Sequence, residues 1–191
     1  MTAVDPVAGA GVLIAAFVLA GLAQTGWFAW SGSLRFAIPL DGGLEWRGRR
    51  LLGDHKTVRG LLVMIPAAAT TLPMVAAIVQ RVAPGSLWPL STAGYAALGA
   101  WCAAGFMLGE LPNSFVKRRL GVAPGAAAVG RGRPWQLTVD RLDSGLGLLV
   151  AASLVVNVPW QTWLLVLSTG PLFHFGFSVA MFRLGLKPRA A

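Results

Sequence analysis

The stretch LLVMIPAAATTLPMVAAIVQ (residues 61–80) decides the fold class. It has the length of a bilayer-spanning helix, about 20 mostly apolar residues. Four further apolar runs lie around it: residues 7–30, 92–108, 144–158 and 160–182. The run at 144–158 is short, and a start near Thr138 gives it spanning length. The composition agrees with this pattern. Of 191 residues, 55% are hydrophobic and only 12% charged, and the mean hydropathy is +0.66. A soluble domain carries about 25% charged residues, so embedding in a membrane accounts for the chain better than a soluble core. The length suits one compact membrane domain over residues 1–191.

Charge gives the orientation. There are 16 Lys and Arg against 7 Asp and Glu, a net charge of +9. The cations fall between the first and second runs, between the third and fourth, and after the fifth; Arg81 alone lies elsewhere. The positive-inside rule places those segments in the cytoplasm. The expected fold is therefore all-α, with five transmembrane helices, the N-terminus outside, and two long cytoplasmic loops at about 31–60 and 109–143. Spans are expected at about 7–30, 61–80, 92–108, 138–158 and 160–182. Trp27, Trp30, Trp88, Trp135, Trp160 and Trp163 sit near run ends, as interfacial aromatics do. Pro66, Pro73 and Pro171 fall inside runs and predict kinks or local unwinding. Cations confined to such loops point to lipid headgroups or a phosphate-bearing substrate rather than to nucleic acid. The N-terminal MTAVDPVAGA lacks the cations of a signal peptide. The single Cys102 excludes an intrachain disulfide. The expected location is the cell (inner or plasma) membrane, with the chemistry facing the cytoplasm.

Three polar constellations stand in the cytoplasmic segments. Asp140 and Asp143, at i and i+3, share one helix face. Such a pair suits Mg²⁺, which takes carboxylate oxygens together with substrate phosphates. Spacing alone equally allows a helix-capping acid and an Asp–Arg surface pair with Arg141. In GELPNSFVKRRLGVAPG (residues 109–125), Asn113, Ser114, Lys117 and Arg118 recur at helical spacing after Glu110 and offer an amide, a hydroxyl and two cations to one polyanion. A juxtamembrane basic cluster binding headgroups is the plainer alternative. In the first loop, Asp54, His55, Lys56, Thr57 and Arg59 precede the second run, and Asp41-Gly42-Gly43 and Gly53-Asp54 are turn signals. No P-loop, HExxH or GxSxG pattern occurs. Gly105 and Gly109 form a GxxxG pair, which favours close helix packing and allows a homodimer.

Taken in order, PLDGG…RGRRLLGDHKTVRG, LGELPNSFVKRRLGVAPG and RPW…DRLDS before a terminal helical pair resemble the CDP-archaeol synthase family, which belongs with the CDP-diacylglycerol synthases (phosphatidate cytidylyltransferases). The resemblance covers roughly residues 35–183. It implies a five-helix membrane enzyme that uses CTP and Mg²⁺ to transfer CMP to a phosphorylated membrane lipid, giving CDP-lipid and pyrophosphate in phospholipid biosynthesis. It further implies catalytic roles for Lys117, Arg118, Asp140 and Asp143. Asp54, His55, Lys56, Asn113, Ser114, Arg119 and Arg141 would bind substrate, and Asp140, Asp143 and Glu110 would bind metal. The family usually shows Gly-Asp at Gly109-Glu110 and Lys-Ser-Phe at Asn113-Ser114-Phe115. Archaeal members tend toward Asp-Gln-x-Asp, whereas Asp140-Arg141 looks more like the CDP-diacylglycerol synthases, which leaves the lipid open. A non-enzymatic lipid-binding or transport protein derived from this family is the alternative.

Overall fold

The computed structural model describes residues 4–124, 126 and 133–185. The Gly- and Ala-rich segment 125–133, whose composition predicts a loop, falls almost wholly outside them. Among the described residues the fold is helical, with one small hairpin: α1 (Pro6–Ala29), a 3-10 turn (Ser31–Phe36), β1 (Glu45–Trp46), β2 (Arg49–Arg50), α2 (Val58–Val82), α3 (Thr92–Arg119), α4 (Arg133–Ser153) and α5 (Trp160–Arg183).

Local chemistry sets the helix starts. Asp5 Oδ1 accepts the Ala8 N–H at 2.8 Å and Pro6 fills the first helical position of α1, where a missing N–H costs nothing. Ser91 Oγ accepts the Gly94 N–H at 3.1 Å at the start of α3. The hairpin turns at Arg47 and Gly48, both with positive φ (54° and 68°), as a two-residue primed turn requires; Glu45 pairs with Arg50 and Trp46 with Arg49.

Two boundaries differ from the sequence expectation. The third helix does not end near 108: α3 runs on through Pro112 to Arg119, so the polar stretch after Gly109 is helix, not loop. The fourth begins at Arg133 and ends at Ser153, which puts Asp140 and Asp143 well inside it. Helix also continues through Pro66, Pro73 and Pro171.

Each helix packs on the next, and α5 returns to α1, closing a five-membered ring. At one end the Asp5 N–H donates to Ser86 O at 2.9 Å, Trp88 Nε1 to Asn157 O at 2.8 Å, and Thr162 Oγ1 to Pro6 O at 3.0 Å. The start of α1, the α2–α3 link and the α4–α5 link therefore meet there. At the other end Arg59 Nη2 donates to Phe28 O, and α3 meets α4 through their charged residues. Successive helices thus alternate in direction. Three of them, Pro6–Ala29, Val58–Val82 and Trp160–Arg183, are long and apolar enough to cross a membrane; α3 and α4 carry more charge.

Small residues line the contacts. On α2 the buried positions are Gly60, Met64, Ala68, Leu72 and Ala76, every fourth residue. A Cβ on Gly99 would lie 2.3 Å from Ala68 O, so α2 and α3 nearly touch backbones. The Gly105/Gly109 pair does the same against α4: a Cβ on Gly147 would lie 2.1 Å from Gly105 O, and one on Gly109 would lie 2.6 Å from Asp143 O. The GxxxG surface is therefore filled by a helix of the same chain. Many large apolar side chains, including Leu62, Met74, Ile78, Leu164 and Leu172, point outward. Where lipid surrounds the ring, tight backbone packing rather than apolar burial holds helices together.

Candidate active site

The site is built at the cationic end, where the 38–57 loop, α3 and α4 converge. Asp41 organises the loop. Its Oδ1 accepts Arg50 Nη2 at 2.6 Å and the Gly43 N–H at 3.1 Å; its Oδ2 accepts the Leu52 and Gly53 N–H groups at 2.9 and 3.1 Å. Burial works against the charge, but Arg50 and the three N–H groups outweigh it and hold the carboxyl far below the usual range. The loop neck is closed by the Leu40 N–H to Lys56 O and the Val58 N–H to Ile38 O, which fixes Lys56 beside α3. We predict that Asp41→Asn loosens this loop and speeds tryptic cleavage after Arg47 and Arg49 roughly tenfold at neutral pH, since buried donors lose a charged acceptor. A carboxyl whose folded pKa is depressed stabilises above its unfolded pKa, about 3.9, and loses that contribution as pH falls through the folded value. Wild-type protection should therefore persist from neutral pH down to about pH 4.

On α3, Glu110, Asn113, Ser114, Lys117 and Arg118 recur at helical spacing. Across from them α4 presents Asp140, Asp143 and Ser144. Lys56 Nζ pairs with the Glu110 carboxylate. Burial opposes the Lys56 charge, but Glu110, with Asp143 and Asp140 behind it, outweighs burial and holds the ammonium pKa above the usual lysine value. Ser144 Oγ donates to Glu110 Oε1 at 2.6 Å, and the Ser144 N–H to Asp143 Oδ1 at 2.7 Å. Asn113 Nδ2 bridges Asp140 Oδ1 at 2.5 Å and Asp143 Oδ2 at 2.7 Å. Lys117 Nζ reaches Asp140 Oδ1 at 2.7 Å. The result is an alternating row of acids and donors across the α3–α4 seam that Gly105, Gly109 and Gly147 bring together.

Lys56, Glu110, Lys117, Asp140, Asp143 and Ser144 of this row line a cavity of about 660 Å³ inside the ring. Its deeper walls are apolar and include Leu13, Phe17, Phe106, Leu148 and Val166; the rings of Phe17 and Phe106 touch in that wall, with centroids 5.4 Å apart. Asp54 and His55 are exposed and line its polar part; Asp54 Oδ1 accepts Arg50 Nη1 at 2.7 Å. Arg141 lies over the Phe175 ring at 5.4 Å. Arg118, only 8% exposed, lines the same cavity, and its Nε and Nη1 have no hydrogen-bond partner among the described residues. Such a guanidinium can offer these N–H groups to an anion in the cavity.

Arg119 is not brought to the cavity. Its Nη2 donates to Arg49 O at 2.9 Å and Arg50 O at 2.7 Å, its Nη1 to Trp46 O, and its plane lies over Trp46 and Phe115. Arg49 Nη1 answers by donating to Arg119 O at 2.6 Å. This pair fastens the hairpin to the end of α3. The three acids expected to bind metal, Glu110, Asp140 and Asp143, all line the cavity. Among the described residues no three His, Cys, Asp or Glu side chains gather on one point, and Glu110 is engaged by Lys56 and Ser144 while Asp140 and Asp143 converge on Asn113. Sequence reading did not single out the roles of Asp41, Arg50 and Ser144, nor Gln24 and Thr25, polar residues of α1 that line the cavity. Two polar residues in an otherwise apolar run are the signal that marks the latter pair.

A ring of helices around a chamber that is charged at one end and apolar along its length suits an amphiphilic ligand held at a membrane surface. Its backbone matches a solved structure described as an intramembrane enzyme for archaeal membrane lipids biosynthesis (TM-score 0.53, 27% identity, covering 84% of this chain and 89% of that one). The family model for CarS-like CDP-archaeol synthase matches residues 34–189. The chain is similar to the CDP-archaeol synthases of Pyrococcus furiosus (33% identical over 150 residues, 78% of this chain and 81% of the relative) and Halorubrum lacusprofundi (35% over 165 residues, with the same coverage). It is also similar to that of Aeropyrum pernix (35% over 152 residues, 78% and 76%). The chain belongs to the CDP-archaeol synthase family.

Proposed function

We propose that the chain transfers CMP from CTP to a phosphorylated membrane lipid, releasing pyrophosphate and leaving a CDP-lipid. The observation that carries this reading is the buried Arg118 guanidinium, with Nε and Nη1 unpaired among the described residues, in the same chamber as Asp140 and Asp143, below an apolar lumen. That combination suits a substrate pair with several phosphates at one end and hydrocarbon at the other. An oxygen of the lipid phosphate attacks the α-phosphorus of CTP, and the bond to the β-phosphate oxygen breaks as pyrophosphate leaves. The nucleophile is already ionised, so the protein's task is positioning and charge compensation. Arg118 and Lys117 take the phosphate oxygens of the leaving group. Lys56 holds Glu110 in place. The apolar wall around Phe17 and Leu148 receives the lipid chains and keeps the headgroup at the charged floor.

The donor set fits Mg²⁺. Two carboxylates, Asp140 and Asp143, turn hard oxygens toward one point, and Mg²⁺ is commonly held by one or two carboxylates plus substrate phosphates. When bound, the ion would neutralise developing charge on the phosphate oxygens. The charged end faces the cytoplasm in this reading, because the cations gather there.

The test is pyrophosphate release by the purified protein with CTP and Mg²⁺ against ether- and ester-linked lipid phosphates. Release that needs both CTP and one lipid class is the expected result. No release from folded protein with any lipid would move the function to lipid binding or transport. Arg118→Gln should raise KM for CTP about 10- to 100-fold, the worth of charge-assisted hydrogen bonds.

A further inference from the structure

Lys56, Arg59, Lys117, Arg118 and Arg141 all line the chamber. Lys56 and Lys117 answer Glu110 and Asp140, and Arg141 lies over Phe175. Arg59 and Arg118 differ from these: each keeps a buried Nε–H unpaired among the described residues. Arg50 and Arg119 do so as well, but neither lines the chamber. The two chamber arginines stand in unlike surroundings. Arg118 lies under the loop that Asp41 organises; a Cβ on Gly53 would lie 3.3 Å from its Nη1 and 3.0 Å from Pro124 Cγ. Arg59 belongs to the α1–α2 seam. Its Nη2 donates to Phe28 O at 2.5 Å, and its guanidinium lies 4.3 Å from the centre of the Phe28 ring. These contacts fix in the chamber wall a side chain that would otherwise reach for water.

The wall that leads away from Arg59 is apolar. Leu13, Phe17, Gly21, Gln24 and Phe28 recur at helical spacing on one face of α1, and all line the chamber. From Leu13 to Gln24 this face is about 16 Å long at 1.5 Å per residue. That is close to one leaflet, half of a hydrocarbon core of roughly 30 Å. Gln24 stands at its charged end beside α2, with Nε2 3.9 Å from where a Cβ on Gly60 would lie. A nucleotide has nothing to place along such a wall, whereas a lipid chain gains by leaving water there.

We infer that Arg59 and Gln24 seat the phosphate monoester of the lipid, with its chains along the Leu13–Phe17–Gly21 face of α1, and that the nucleotide phosphates belong to Arg118. This deepens the cytidylyltransferase reading and rests on it for the presence of both substrates in one chamber. A phosphate monoester has three free oxygens, so two rest on Arg59 and Gln24 while the third attacks the α-phosphorus of CTP. Each polyanionic substrate then has its own guanidinium, and neither excludes the other.

The experiment measures binding to the purified full-length protein in detergent by calorimetry, without divalent cation, so that no turnover occurs. The probes are an ester-linked phosphatidic acid, an ether-linked dialkylglycerol phosphate, the two matching lipids without phosphate, glycerol phosphate, and CTP. The wild type should bind at least one lipid phosphate well above its phosphate-free partner and above glycerol phosphate. Arg59→Gln should weaken that binding about 10- to 100-fold, the worth of charge-assisted hydrogen bonds, and change CTP binding less than about threefold. Arg118→Gln should do the reverse. Gln24→Leu leaves the bond from Arg59 to Phe28 in place, so it serves if Arg59→Gln fails to fold; it should weaken lipid phosphate about threefold or more. Unchanged lipid-phosphate binding in Arg59→Gln or Gln24→Leu would overturn the inference. So would an equal loss for CTP, or glycerol phosphate binding as tightly as the lipid. Pyrophosphate release by the wild type with Mg²⁺ is scored separately. Its absence beside the expected binding pattern would defeat the cytidylyltransferase reading and leave the lipid-phosphate seat at Arg59 standing.

Discussion

Asp143→Asn lowers turnover about a thousandfold, the several kcal/mol that charge stabilisation at a metal site supplies, while the protein still inserts and folds. The substitution keeps the shape of the side chain. It also leaves an oxygen able to accept the Ser144 N–H, bonded at 2.7 Å in the wild type. What is lost is one of the two charges that converge on Asn113. The check is a steady-state rate measured beside a thermal melt in detergent. Turnover near wild type in folded protein would remove Asp143 from the reaction. A matching fall in melting temperature would make its role structural.

The second large effect is on the frame. Gly147→Ala should destabilise the protein by about 3 kcal/mol or more, the upper range for overpacking. Its new Cβ would lie 2.1 Å from Gly105 O and 2.8 Å from Gly109 Cα. Both near neighbours are backbone, so no side chain can swing aside. The helices must separate, and the bonds from Asn113 to Asp140 and Asp143 lengthen with them. A lower melting temperature together with lost turnover is the expected result. Gly145→Ala is the control, because its Cβ would meet only Leu167 Cδ2 at 3.5 Å, ordinary contact.

Much of this architecture is legible in the chain because a bilayer enforces it: length and apolarity mark helices, and cations mark one side. The membrane signal weakens where a helix leaves hydrocarbon. Pro112 and the charges after Gly109 look like a helix end, yet α3 continues to Arg119 because its polar turns pack on α4 rather than face lipid. The run Lys117, Arg118, Arg119 shows another limit. Consecutive residues on a helix point about 100° apart, so three similar cations take three jobs: one on Asp140, one in the chamber, one on the hairpin. Their order in sequence hides this, and only the neighbours of α3 reveal it. Asp41 reads as a turn residue for a similar reason, since its partners Arg50, Leu52 and Gly53 come to it only when the hairpin closes.

The extension of α3 beyond its apolar part has a consequence for the membrane itself. Residues 92–108 span only about 26 Å at 1.5 Å per residue, less than the roughly 30 Å of an average hydrocarbon core, and Glu110 follows at once. A short hydrophobic segment is accommodated by thinning the bilayer beside it. A bilayer that α3 crosses is expected to thin beside the α3–α4 seam, which would bring its phosphates nearer the acids. In that case the thickness of the host membrane would enter the geometry of the site.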